Sequence, residues 1–133
     1  MRILLDTHVW IWTQETPERL GAKTASLIQD TANTLLVSTV STLELAQLLH
    51  RGRISMQGDL QTWVRRSLDN LGAETVEITH QIAILAYGLA GKMHPDPADR
   101  VLIASASIHN AHLLTADERI LAYPHVKAAN ALR

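Results

Sequence analysis

Cysteine is absent from the 133 residues, which excludes disulfides and thiolate metal sites and removes any need for an oxidising compartment. Phenylalanine is absent as well, and aromatic residues make up only 4% of the chain. A platform of aromatic rings for stacking nucleobases is therefore not expected. No apolar run approaches the ~20 residues of a membrane helix, and no membrane partner is expected. The opening Met1-Arg2-Ile3-Leu4-Leu5-Asp6 meets an aspartate too soon for the apolar core of a signal peptide, so the expected location is the cytoplasm. Excess positive charge is missing too: 12 Lys and Arg stand against 13 Asp and Glu, a net charge of -1. A general nucleic-acid binder would be basic. Bulk charge lends that class no support, while leaving room for an enzyme with a local positive rim. The arginines that do cluster, Arg51, Arg53, Arg65 and Arg66, have Asp59 among them and read as a solvated helix face.

What is present describes an ordinary globular chain, 47% hydrophobic and 19% charged. Residues 1–133 contain no repeat, no low-complexity segment and no Pro/Gly-rich linker, so one domain is expected throughout. Short apolar runs at Ile3–Leu5, Leu35–Val37, Thr75–Ile78 and His112–Leu114 are too brief for helices and are bounded by polar or turn residues, as buried strands are. Helical spacing occupies the longer intervals. Gly21–Asp30 is amphipathic, and Val40–His50 is rich in Leu and Ala. Leu60–Leu71 carries Leu60, Trp63, Val64, Leu68 and Leu71 in a three-and-four pattern, and Thr79–Gly91 and Pro97–Ala111 follow the same rule. Alternating strands and helices predict an α/β fold with a mainly parallel sheet. Such sheets place their sites outside the carboxyl ends of the strands.

The residues at those ends are acids. Asp6 follows Ile3-Leu4-Leu5, and Asp117 follows Leu113-Leu114-Thr115-Ala116. Each could simply begin the next helix, since aspartate caps helices and favours their first turn. Thr115-Ala116-Asp117-Glu118 also spells a capping box, in which Thr115 and Glu118 would serve the backbone. Glu44 shares a helical stripe with Val40 and Leu48. A carboxylate there loses solvation unless it is paired or bound to metal, or else it sits at the stripe's wet edge. In Pro95-Asp96-Pro97-Ala98-Asp99-Arg100, Pro97 suits the first helical position and makes Asp96 the N-cap. Asp99 then lies toward the core beside Leu102 and Ile103, explained only in part as the acid of a capping box. Asp6, Glu44, Asp99 and Asp117 stand where an α/β sheet could bring them together. Clustered carboxylates repel and raise one another's pKa. A hard cation such as Mg²⁺ or Mn²⁺ relieves that repulsion, and the matching chemistry is metal-assisted phosphodiester hydrolysis. The 7 histidines are scattered and lack the spacing of a zinc site.

Four segments carry a family resemblance. Ile3-Leu4-Leu5-Asp6-Thr7-His8-Val9-Trp10 resembles the opening strand and first acid of the PIN domain. Ser38-Thr39-Val40-Ser41-Thr42-Leu43-Glu44-Leu45-Ala46 resembles its second-acid helix. His94-Pro95-Asp96-Pro97-Ala98-Asp99-Arg100 with Val101–Ala106 resembles the third motif of the toxin branch, and Leu113-Leu114-Thr115-Ala116-Asp117 the fourth. The order and spacing hold along the whole chain, and the branch is similar to the VapC toxins of bacterial toxin–antitoxin pairs. One departure is Ala98, where relatives often carry an aromatic residue. The resemblance implies a five-stranded parallel sheet flanked by helices and a magnesium- or manganese-dependent endoribonuclease. It also implies a cognate antitoxin, a homodimer, and operator DNA bound only through the antitoxin. Asp6, Glu44 and Asp99 would be the core metal ligands, Asp117 a more variable fourth, and Thr7 and Thr115 would position water or phosphate. Two other readings compete. A haloacid-dehalogenase-like phosphatase would need an aspartate where His8 stands. A catalytically silent module that keeps the PIN fold would be expected to have lost a core acid, and none is missing.

Overall fold

In the computed structural model, which describes residues 1–92 and 96–133, the short apolar runs become strands of one sheet. The strands are β1 (Arg2–Leu5), β2 (Thr34–Ser38), β3 (Glu74–Val76), β4 (His112–Thr115) and β5 (Ala128–Asn130). The helices are α1 (Thr7–Glu15), α2 (Ala22–Gln29), α3 (Thr39–His50), α4 (Leu60–Leu71), α5 (His80–Ala86), α6 (Pro97–Ile108) and α7 (Glu118–Ala122), with a 3-10 turn at Pro17–Arg19. Strand order is β3-β2-β1-β4-β5 and every pairing is parallel. The sheet is buried on both faces, which is why its strands read as continuous apolar runs instead of alternating ones. Ile3, Leu5, Leu35, Val37 and Leu114 pack on one side with Trp10 of α1 and Leu45 of α3. Leu4, Leu36 and Leu113 pack on the other with Ile82 of α5 and Leu102 and Ile103 of α6.

The topology creates the site's location. The chain builds outward from β1 through β2 to β3, then returns to lay β4 along the other side of β1. The order reverses there, and all carboxyl ends point the same way, so the β1–β4 crevice is where such a fold holds its ligands. The Asp6 N–H donates to the Leu114 carbonyl at 3.0 Å and ties the two strand ends together. On one flank α4 is pinned to α1. The buried Trp10 indole donates to Ser67 Oγ at 3.0 Å and meets Trp63 edge-on at 5.0 Å.

Several boundaries differ from the periodicity reading, each for a local reason. The helix expected over Thr79–Gly91 ends at Ala86, where the Tyr87 and Gly88 N–H groups turn to i−3 carbonyls just as a poor helix former arrives. The one expected over Pro97–Ala111 stops at Ile108. Asn110 adopts φ 49° and the Ala111 N–H reaches the Ala106 carbonyl at 2.9 Å, a Schellman closure. β3 begins at Glu74 and ends at Val76, earlier than the run Thr75–Ile78. β5 is an edge strand of sequence Ala-Ala-Asn with no apolar signature. It is a strand because β4 offers it a partner. Among the described residues no helix is long and apolar enough to cross a membrane.

Candidate functional site

Asp6, Glu44, Asp99 and Asp117 line one open cleft of about 340 Å³, together with Asp96, His8, Trp12 and Ala116. The four acids come from four places in the chain. β1 delivers Asp6 at the start of α1, and β4 delivers Asp117 at the start of α7. Ser38, closing β2, caps α3 by accepting from the Val40 N–H at 3.1 Å, and Glu44 projects from that helix. Asp96 caps α6 by accepting from the Ala98 N–H at 2.9 Å. With Pro97 at the first position, Asp99 falls in the first turn. His94 and Pro95, which open the third motif, lie outside the described residues.

Asp6 is only 7% exposed, and it occupies a capping position without making a side-chain capping bond. Its Oδ2 instead accepts from the Thr115 hydroxyl at 2.5 Å. Thr7 Oγ1 lies 2.5 Å from Glu44 Oε1 and 2.8 Å from Ser41 Oγ. A carboxylate only accepts, so the single Thr7 proton goes to Glu44 and the Ser41 hydroxyl supplies the second contact. Both threonines are 0% exposed. This corrects the expectation that Thr7 and Thr115 position water or phosphate: neither hydroxyl reaches solvent, and each is committed to a carboxylate. It also corrects the capping box at Thr115. Asp117 is the N-cap of α7, its Oδ1 accepting from the Arg119 N–H at 2.8 Å, while Thr115 belongs to β4 and also accepts from the Asp117 N–H at 3.0 Å.

Burial, and after it mutual repulsion, raises three of the acids, Asp6, Glu44 and Asp99. Asp99, also 7% exposed, is pushed up to about 8 by desolvation and then by the charges of Asp6, Asp96, Asp117 and Glu44. Burial raises Asp6, against the opposing pull of the Thr115 hydroxyl, the Thr7 N–H and His8. Burial also raises Glu44, opposed first by the Thr7 hydroxyl. Perturbed carboxyls gathered in one cleft mark a functional site, and an all-oxygen donor set suits a hard cation. Among the described residues no group of three or more His, Asp or Glu is arranged as a ready-made metal cage.

Sequence reasoning overlooked two members of the cleft, His8 and Trp12. The available signal was their spacing: on the helix that follows Asp6 they stand one turn apart and share a face with each other. The rings stand 6.4 Å apart, tilted by 58°. The Arg51–Arg66 group divides. Arg66 lines a groove between α1 and α4, and Arg51 lines an apolar groove that shares Glu44 and Asp96 with the acid cleft.

The PIN domain family pattern matches residues 3–126. The chain is 33% identical over 123 residues, 92% of each protein, to "Ribonuclease VapC22" of Mycobacterium tuberculosis. Among solved structures it is similar to VapBC2 from Rickettsia felis bound to a promoter DNA fragment, with TM-score 0.66, 17% identity and 98% of each chain covered. It is similar also to a toxin–antitoxin complex from Klebsiella pneumoniae, with TM-score 0.66, 18% identity and coverage of 96% of this chain and 95% of that one. The parallel sheet, the acids at its carboxyl edge and a family match running nearly end to end agree: this chain belongs to the PIN domain family.

Proposed function

We propose that the chain is the toxin of a toxin–antitoxin pair, acting in the cytoplasm as an endoribonuclease that depends on Mg²⁺ or Mn²⁺. The observation that carries this reading is the meeting of Asp6, Glu44, Asp99 and Asp117 in one cleft, with Asp99 pushed up to about 8 by burial and then by the other acids. Asp6, Glu44 and Asp99 would hold the ion, with Asp117 beside them. Mg²⁺ retains several waters and takes few direct carboxylates, so an open cleft of separated acids suits it better than a closed cage would. When bound, the ion supplies a water of lowered pKa and offsets charge on the phosphate. The chain's own part is to hold the acids in place. Thr115 fixes one oxygen of Asp6 and Thr7 one oxygen of Glu44, leaving the remaining lone pairs directed by buried, hydrogen-bonded side chains. Asp99, raised first by burial and then by its neighbours' charges, would give up its proton to a bound cation.

Purified protein freed of its partner should cut structured RNA in Mg²⁺ or Mn²⁺ and stop with EDTA. Asp6→Ala, Glu44→Ala and Asp99→Ala should each abolish cleavage with the circular dichroism spectrum unchanged. Cleavage retained by any folded one of the three refutes that residue's role as a ligand.

An antitoxin is the expected protein partner, supported by the toxin–antitoxin complexes among the solved relatives. Operator DNA would be contacted through the antitoxin, in keeping with this chain's net charge of -1. A second copy of the chain has a surface to use: Leu43 on α3, Ile78 before α5, Ile84 on α5 and Tyr87 at its carboxyl cap are exposed apolar side chains.

A further inference from the structure

A cleft lined by five carboxylates is a poor receptor for a polyanion. Each unit of like charge at about 4 Å costs roughly 1–4 kcal/mol near a protein surface. An RNA backbone therefore needs a cation at the cleft's lip in addition to any ion among the acids. The wall of the cleft supplies a mount for one. Trp12 forms that wall with His8, and the Arg19 guanidinium lies over the Trp12 ring, 5.4 Å from its centroid. Arg19 is exposed, but its backbone is fixed. It closes the 3-10 turn, its N–H donating to the Thr16 carbonyl at 3.0 Å while the Leu20 N–H donates to the Pro17 carbonyl at 3.1 Å. A guanidinium held over an indole is steered by the ring while its N–H donors remain able to grip a phosphate in two-pronged fashion.

Two arginines of the Arg51–Arg66 group are less well placed. Arg66 belongs to a groove that shares none of the acids. Arg51 sits in a groove whose walls are mainly Val40, Leu43, Leu48, Ile78 and Val101, a surface better matched to apolar side chains than to phosphates.

We infer that Arg19, steered by Trp12, is the residue that grips an RNA phosphate beside the scissile one. The inference rests on the ribonuclease reading for its substrate, and Trp12 acts in it as a positioning residue. Two measurements separate the ideas: binding of a labelled single-stranded RNA with Ca²⁺ replacing Mg²⁺, followed across a salt series, and steady-state cleavage with Mg²⁺. Arg19→Gln should weaken binding and raise KM about 10-fold, leaving kcat within about twofold. Its salt dependence, as log Kd against log salt, should be shallower by about 0.7, one phosphate contact on a single strand. Trp12→Ala should raise KM about threefold and Trp12→Phe should restore it, because an aromatic face is what holds the guanidinium. Arg65→Gln, removing an exposed arginine on α4, controls for net charge and should match wild type. An Arg19→Gln protein with unaltered Kd and salt slope overturns the inference while leaving the ribonuclease reading intact. Wild-type binding without cleavage, lost in Arg19→Gln, sustains the contact and overturns the ribonuclease reading. Wild-type protein that neither binds nor cuts RNA overturns both.

Discussion

The charge on Asp99 should make the metal-free protein less stable as pH rises. Its carboxyl titrates near 8 in the folded chain, against 3.8 for an ordinary aspartate. Between those values the folded state holds a proton that the unfolded chain has released, so stability falls as pH climbs through the window. The contribution is absent below about pH 4 and complete above about pH 8. At pH 7 the gap from 3.8 spans about three units, which at 1.36 kcal/mol each is about 4 kcal/mol of destabilisation. Asp6 and Glu44 can take up part of the shared proton, which trims the cost. Asp99→Asn removes the titration and also forfeits a first-turn acid, a loss of about 0.3–1 kcal/mol. The net gain at neutral pH should be about 2–3 kcal/mol, or roughly 8 °C in Tm for a chain of this size. Thermal melts in EDTA at pH 5 and pH 8 measure it. Wild type should melt lower at pH 8 than at pH 5, and Asp99→Asn should close most of that gap. A variant that melts below wild type at pH 8 would refute the argument, because it would mean the carboxylate is satisfied in the fold and not repelled.

Other perturbations separate the supporting residues from the ligands. Thr115→Val removes the hydroxyl from Asp6 without opening a cavity and should cut Mg²⁺ affinity about 10- to 100-fold, as loss of a ligand's hydrogen-bond partner does elsewhere; a metal titration followed by Tm reads it. Asp96→Ala should cost about 0.5–2 kcal/mol through the lost cap, with activity falling only as far as the start of α6 is disturbed, and urea melts beside RNA cleavage show both. Expression of the chain alone should arrest growth, and co-expression of the protein encoded beside it should restore it; toxicity that no neighbouring gene product relieves would count against the antitoxin.

The acids were legible because each broke a local rule or ended a local pattern. Asp6 and Asp117 could be found by reading along two apolar runs to the first charge. Glu44 stood out against the apolar stripe of its helix, and Pro97 separated Asp96 from Asp99 by fixing where α6 begins. What local pattern could not supply was the partner of each acid. Thr115 meets Asp6 across 109 residues and Thr7 meets Glu44 across 37. A threonine beside an aspartate has a ready local meaning as a cap, and at Thr115 that meaning was wrong. β5 was illegible for a related reason, since Ala-Ala-Asn has no preference strong enough to announce a strand and takes its form from β4. Composition misled in one respect. Few aromatic residues overall does not mean none at the site, and Trp12 lies in the cleft wall.

Parallel topology explains why repelling acids are gathered in this cleft. With every strand running the same way, all of them end at one edge, so acids placed after strands or near the ends of helices on that side accumulate there without any local attraction between them. The folding energy comes from the two apolar layers on either face of the sheet, and the acids are carried to the edge by it. Their repulsion is tolerated in two different ways. Asp6 and Glu44 are tethered by buried hydroxyls that favour the charged form, whereas Asp99 meets the field of the others with its proton retained. One half of the site is therefore held in place by hydroxyls that oppose the effect of burial, and the other half gains its charge only when a cation makes that favourable. Binding of a divalent ion should then release a proton near neutral pH, from the Asp99 side of the cleft.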